Sequence, residues 1–348
     1  MIFLSLPIPD LSESQIKLFN LQSLQAKVTG QLDPLQAVEA LKKNIGKEIL
    51  VFDIGATALK YLVAMVNNDG KITIDEQKQH IVENKGRGIN YLDILIQAHV
   101  DHSNLPVAIS TTGLVSHGEL ISSANLPIFV EQLKKAGGFS TIFKTDVPVM
   151  NDAEAGLIAG AIGVASREDK TKPIIYVING GGIGGAVMDA DNKLWALEPG
   201  HIQVVDELNT NHVTRSCGSD NKQFVCIERV GASGMGVEQQ WEEKYGTKLD
   251  GKSIAEKMYF GDPFALQLYD TAALLTAHVI EGMRATMKIS VSELAVVLHG
   301  GLFKTEGIVE RIEQILSKHH NQGIDLIPTK ALGFSNACMT GLAIAAVT

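Results

Sequence analysis

The chain has 348 residues, 45% of them hydrophobic and 20% charged, with 33 glycines, a globular composition at a length that favours two domains. A net charge of −9 argues against nucleic acid as the main partner, and no apolar run approaches the length that spans a membrane. Three cysteines, Cys217, Cys226 and Cys338, do not make a disulfide framework, and Met1–Pro9 lacks the basic flank of a signal peptide, so the chain reads as cytoplasmic.

Residues 1–47 stand apart as a helical extension. Gln15 to Val28 is a weakly helical run, and Asp33-Pro34 opens a second helix, Leu35 to Asn44, with Asp33 as its cap. Leu35, Val38 and Leu41 fall on one face, as in an arm packed on the body or used for oligomerisation. The segment is short for a winged DNA-binding domain and has no basic cluster.

The body begins at Glu48–Phe52, a buried-strand run that leads into Asp53-Ile54-Gly55-Ala56-Thr57-Ala58-Leu59-Lys60. Tyr61 to Val66 resumes as strand, Asn67–Gly70 turns, and Lys71 to Asp75 is strand again, an antiparallel meander. No helix follows the glycine, which sets this turn apart from a dinucleotide or P-loop site. The turn can instead offer backbone N–H groups and the Thr57 hydroxyl to a phosphate, and Asp53 can hold magnesium through water. Asn90 to His102 reads as a helix and Pro106 to Ser110 as a strand. The polar loops at Thr111–Gly113 and Ser122–Pro127 follow, and Ile128 to Ala136 is again helical.

Val147 to Met150 is a short strand, and Ala153 to Gly163 has a small-residue helical pattern. Asn151 and Asp152 sit where one hands over to the other. Both are preferred helix caps, because their oxygens accept the orphan N–H groups of the first turn. The same place is the mouth of an α/β crevice, where a carboxylate can take a proton from a substrate hydroxyl.

Pro173 to Ile178 is a second buried strand, running into Asn179-Gly180-Gly181-Gly182-Ile183-Gly184-Gly185. Ala186–Met188, a turn at Asp189–Asn192 and Lys193–Ala196 complete a second meander. The repeated plan predicts two related domains that face one another and grip a phosphate chain from both sides. Glu198-Pro199-Gly200-His201 comes next, then Cys217 and Cys226-Ile227-Glu228. Glu198, His201 and Glu228 suit the hydroxyls of a polyol. His201 with Cys217 and Cys226 suggests zinc instead. Ile254–Tyr259 and Pro263–Lys288 are helical. Glu293–Leu298 is a strand ending in His299-Gly300-Gly301, where a base or ribose can lie close on the backbone. Glu306–His319 is a helix, Ile324–Pro328 a strand and Ser335–Val347 a small-residue helix.

From about Glu48 onward these motifs resemble those of the ROK family of sugar kinases (repressor, open reading frame, kinase), in the sugar kinase, Hsp70 and actin superfamily. The resemblance implies an α/β fold of two actin-like (ribonuclease H-like) ATPase domains flanking a cleft. Residues 48–150 with 331–348 would form the small domain and 151–330 the large one. It implies transfer of phosphate from ATP, with Mg2+, to the 6-hydroxyl of a hexose such as glucose. Asp152 would be the general base, and Asn151, Glu198, His201 and Glu228, helped by Asn125, would hold the sugar. Asp53, Gly55, Thr57 and Lys60 match the first phosphate motif; Gly180, Gly181, Gly182 and Gly184 match the second. Gly300 and Gly301 match the adenosine motif, and His201, Cys217 and Cys226 match part of a zinc motif. The family is commonly a homodimer.

The chain also departs from the pattern. Ala56 replaces a usual glycine, Gly181 stands where threonine is common, and Arg215 occupies a place where a further zinc-binding cysteine is expected. These changes leave two alternatives: a weak or inactive sugar-binding regulator, and a kinase that uses polyphosphate as donor.

Overall fold

The computed structural model describes residues 6–8, 19, 20, 24, 26–84, 88–123, 126–204 and 225–348. Its two six-stranded sheets repeat one plan, in which a long apolar strand has parallel neighbours on one side and an antiparallel meander on the other. Apart from edge strand Ala26–Gln31, which the division after Val28 cuts, each of these sheets belongs to its own unit. One unit gathers Thr29–Thr171 with Thr329–Thr348, and the other gathers Met1–Val28 with Lys172–Pro328.

In the first of these units the sheet order is Val149–Asn151, Val107–Thr111, Glu48–Ile54, Ala58–Val66 and Ile72–Ile74, with His80–Glu83 also on Ala58–Val66. The first three strands run parallel and the rest antiparallel. Ile49 to Phe52 are fully buried because they face packed layers on both sides. Leu50 and Phe52 meet Tyr91, Leu95, Phe129 and Phe139. Helix Ala337–Ala345 packs on strand Glu48–Ile54 and on helix Asp152–Glu168. That helix pair is close because Gly341 has no side chain; a Cβ there would collide with the Ala155 carbonyl. Helix Pro34–Lys43 also packs on Asp152–Glu168. As its sequence predicts, Asp33 caps it, accepting the N–H groups of Leu35 and Gln36 at 3.0 and 3.1 Å.

In the other unit the sheet order is Asp325–Pro328, Ala295–His299, Ile174–Asn179, Ile183–Met188, Lys193–Leu197 and Ala26–Gln31. Val177, Val187, Val296 and Leu298 share a core with Ala273 and Ile280 of helix Pro263–Met287, and with Ile312 and Ile315 of helix Ile308–His320. Arg311 of the latter helix is fully buried. Its Nε donates to Asp270 at 2.7 Å, and Nη1 and Nη2 donate to the carbonyls of Leu6 and Pro7 at 3.0 and 2.7 Å. Lys318 holds the Ile8 carbonyl at 2.9 Å.

Two expectations change. The run from Gln15 to Val28 is extended where it is described: Phe19–Asn20 pairs with Gln203–Val204, and Ala26–Gln31 is an edge strand. Its β-branched Val28 and Thr29 favour strand, and its exposed polar residues suit an edge. The boundary expected at residue 150 falls instead after Thr171, because helix Asp152–Glu168 packs on helices Ala337–Ala345 and Pro34–Lys43.

Candidate functional site

In the Thr29–Thr171 unit, three parallel strands end side by side, with Asn151 and Ile54 both in register with Thr111. The carboxyl ends of such strands are where open α/β sheets bind ligands. Asn151 caps helix Asp152–Glu168, its Oδ1 accepting the Ala153 N–H at 2.9 Å, and its Nδ2 donates to the Gly113 carbonyl at 3.4 Å. Asp152 Oδ1 also accepts the Ala153 N–H, at 2.8 Å. The Asp152 carboxyl is pushed up to about 6, first by burial and then by the negative charge of Asp53; the Ala153 N–H pulls the other way.

Asp53 lies at the end of the central strand. Ser110, opposite it in register, donates its hydroxyl to Asp53 Oδ1 at 2.9 Å, and Lys60 Nζ stands 4.0 Å from Oδ2. Burial raises the Asp53 pKa, opposed by Lys60 and by the Ser110 hydrogen bond. The turn after Asp53 is tied down: Gly55 N–H donates to the Ala58 carbonyl at 2.9 Å, and Asn84 Nδ2 to the Ala56 carbonyl at 2.6 Å. Thr57 is exposed at its tip. Asp53, Lys60, Asn151 and Asp152 are therefore brought together at one end of one sheet. Asn125 lies outside the described residues.

In the Lys172–Pro328 unit, the Gly180 N–H donates to the Gly182 carbonyl at 3.0 Å, closing the second glycine turn. Strand Ile183–Met188 follows it, as expected. Helix Gly234–Tyr245, which sequence reading missed, begins beside this turn, with its Gly234 and Met235 N–H groups donating to the Gly180 and Gly181 carbonyls at 2.8 and 3.3 Å. Gly300 has φ +117°, and a Cβ there would strike the Asn179 backbone, so this Gly-Gly turn requires glycine at its first position. Asn179 is buried; its Nδ2 donates to the Ala232 carbonyl at 2.7 Å, and its Oδ1 has no hydrogen-bond partner among the described residues.

Glu198 precedes the short 3-10 turn Pro199–His201, and Glu228 lies on another, Ile227–Val230. Glu228 Oε2 accepts the Ile183 N–H at 3.3 Å. A Cβ at Gly182 or Gly200 would lie 2.9 or 2.8 Å from the same oxygen. The glycines therefore let one carboxylate sit against both the second glycine turn and the Glu198–His201 segment. His201, Cys226 and Glu228 each offer a ligand atom, and all three atoms lie within 4.8 Å of one another. An N, S, O set at this spacing fits zinc. Of the expected set, His201 and Cys226 come together, Cys217 lies outside the described residues, and Glu228 stands beside them.

Ser110 and Asn179 also escaped the sequence reading. Their signal was present: each is a polar residue at the end of an otherwise apolar strand run.

The ROK family's sequence profile matches residues 49–346. N-acetylgalactosamine kinase AgaK of Shewanella sp. (strain ANA-3) is 24% identical over 242 residues, 66% of this chain and 74% of that protein. A ROK family glucokinase from Streptomyces griseus, solved with glucose and AMPPNP, superposes with a TM-score of 0.61 at 19% identity, over 85% of this chain and 98% of that one. A ROK family transcriptional regulator, homologous to the E. coli MLC protein, superposes with a TM-score of 0.58 at 15% identity, over 87% and 79%. Likeness at this level carries the fold, the actin-like ATPase plan of paired α/β sheets. The profile runs from the first buried strand of the body to the last helix, and on that span the chain belongs to the ROK family.

Proposed function

We propose that this chain transfers the γ-phosphoryl group of ATP, with Mg2+, to the 6-hydroxyl of a hexose, glucose or a close relative, with Asp152 as general base. The observation that supports this best is the state of Asp152: a carboxyl at a strand-to-helix junction, pushed up to about 6 by burial and by Asp53. At neutral pH such a group is mostly ionised, yet basic enough to take a hydroxyl proton late in the reaction. The sugar oxygen attacks the γ-phosphorus, the bond to the bridging oxygen breaks, ADP leaves with that electron pair, and the hydroxyl proton passes to Asp152. Phosphoryl transfer asks for little more than alignment and charge neutralisation. Lys60 and the backbone N–H groups of the two glycine turns would supply the second, and Asp53 would hold the magnesium that accompanies ATP. Gly300 and Gly301 would take the adenosine. Asn151, Glu198, His201 and Glu228 would bind sugar hydroxyls. Zinc on Cys226 and one ring nitrogen of His201 would orient that imidazole and leave its other nitrogen for a hydroxyl.

The test is ADP release with ATP and magnesium across glucose, mannose, fructose, N-acetylglucosamine and N-acetylgalactosamine, with polyphosphate as an alternative donor. Turnover of at least one sugar with ATP is expected. Asp152→Ala is expected to lower kcat about 10²- to 10⁴-fold while calorimetric sugar binding persists. An unchanged rate in that variant would remove Asp152 from the mechanism. Turnover with polyphosphate alone would change the donor, and sugar binding without any turnover would make the chain a regulator.

A further inference from the structure

A second cluster of metal-binding side chains lies in the Lys172–Pro328 unit and uses none of the residues discussed above. Helix Ile308–His320 packs on helix Pro263–Met287 and ends in Lys318-His319-His320. There His320 Nε2 stands 2.9 Å from Glu281 Oε2, and the His319 and His320 ring centroids are 4.5 Å apart. One ligand atom from each of Glu281, His319 and His320 lies within 4.8 Å of the other two. We propose that Glu281, His319 and His320 bind a divalent transition-metal cation, with zinc as the reference ion.

Four features support the site. Two imidazoles and a carboxylate are a donor set that zinc accepts, and metal–ligand bonds near 2.1 Å put tetrahedral donors about 3.4 Å apart. The His320–Glu281 pair is already close to that separation, and His319 closes the remainder by side-chain rotation at the helix end. Both histidines lie in the last turn of their helix, where the aligned peptide dipoles favour a cation. Glu281 is buried, and Arg284 grips it from behind, with Nη2 2.7 Å from Oε1 and Nε 2.8 Å from Oε2. That arginine is both a competitor for the carboxylate and the outer partner that fixes its direction. On binding, the cation replaces the hydrogen bond between His320 and Oε2, and Oε1 keeps its guanidinium. Finally, His278, one turn before Glu281 on the same helix, is also buried and adds a further imidazole to the surroundings of the cluster. A cation bound there would clip two long helices of one unit to each other.

The experiment is a zinc titration of the full chain in a background of His201→Ala, Cys217→Ser and Cys226→Ser, which removes the other cluster. This background is expected to retain one equivalent of zinc and to show a rise in Tm with added zinc. Adding His319→Ala and His320→Ala is expected to weaken zinc binding at least tenfold and to abolish the rise in Tm. Cobalt in the same site is expected to give ligand-field bands without a thiolate charge-transfer band. A background that binds no zinc, or binding that is unchanged by the two alanines, overturns the proposal. If the double alanine variant does not fold, His320→Gln, which keeps a donor for Glu281, must show the same loss of zinc.

Discussion

At the scale of single residues, burial makes the charge on Asp152 more costly, and the charge on Asp53 adds to the effect. If Asp152 takes the proton, kcat rises with pH through about 6 and levels above it; a pH–rate profile for the best sugar checks this. The same shift has a sign for stability. The ordinary value is 3.8, so between there and about 6 the folded chain holds more of this proton than the unfolded chain does. The stability contributed by protonating Asp152 is therefore full below about pH 4 and lost as pH rises through about 6. Asp152→Asn keeps an acceptor for the Ala153 N–H and removes the buried charge. It is expected to stabilise the chain at pH 7.5 by about 1–3 kcal/mol, with the gain vanishing below pH 4. Urea unfolding at the two pH values measures it. Catalysis and stability then move in opposite directions at one side chain, the usual cost of a poised carboxylate.

At the scale of elements, the contact between helices Asp152–Glu168 and Ala337–Ala345 depends on a missing side chain. Gly341→Ala drives a methyl into the Ala155 carbonyl, and the gain in helix propensity does not offset it; a loss of about 1–3 kcal/mol is expected in urea unfolding. Catalysis is expected to fall with it, since the same shift moves the helix that Asp152 begins. The elements that sequence reading placed well had strong local signals. Asp33-Pro34 marked a helix start, apolar runs marked Glu48–Ile54 and Ile174–Asn179, and glycines marked both hairpins. Two elements lacked such signals. Helix Gly234–Tyr245 opens on Gly-Met-Gly after Ser233, which reads as loop until the Gly180 and Gly181 carbonyls are seen to receive its first N–H groups. Strand Ala26–Gln31 carries no buried face, so only its place beside Lys193–Leu197 reveals it. The candidate site divides the same way. Asp152, Asp53 and Glu228 stand in local motifs, whereas Ser110 and Asn179 owe their surroundings to neighbouring strands and to residues distant in sequence.

At the scale of the whole molecule, one sheet plan is used twice, and neither unit is built from a single run of chain. Leu6 and Pro7 supply carbonyl acceptors to the fully buried Arg311. Deleting residues 1–8 strands guanidinium N–H groups in the interior. The expected cost is about 1–3 kcal/mol, and Arg311→Met in the shortened chain is expected to recover part of it, since removing both partners of a buried hydrogen bond is milder than removing one. Thermal melts of the two shortened chains check the comparison.

That clasp also has a temporal side. The guanidinium that receives the carbonyls of Leu6 and Pro7 is made some three hundred residues after them. Until then these carbonyls have no such partner, and the sheet around Glu48–Ile54 must likewise wait for helix Ala337–Ala345, which is made long after it. An interrupted message would therefore yield two unfinished cores rather than one sound half, and such fragments would fall to chaperones and proteases.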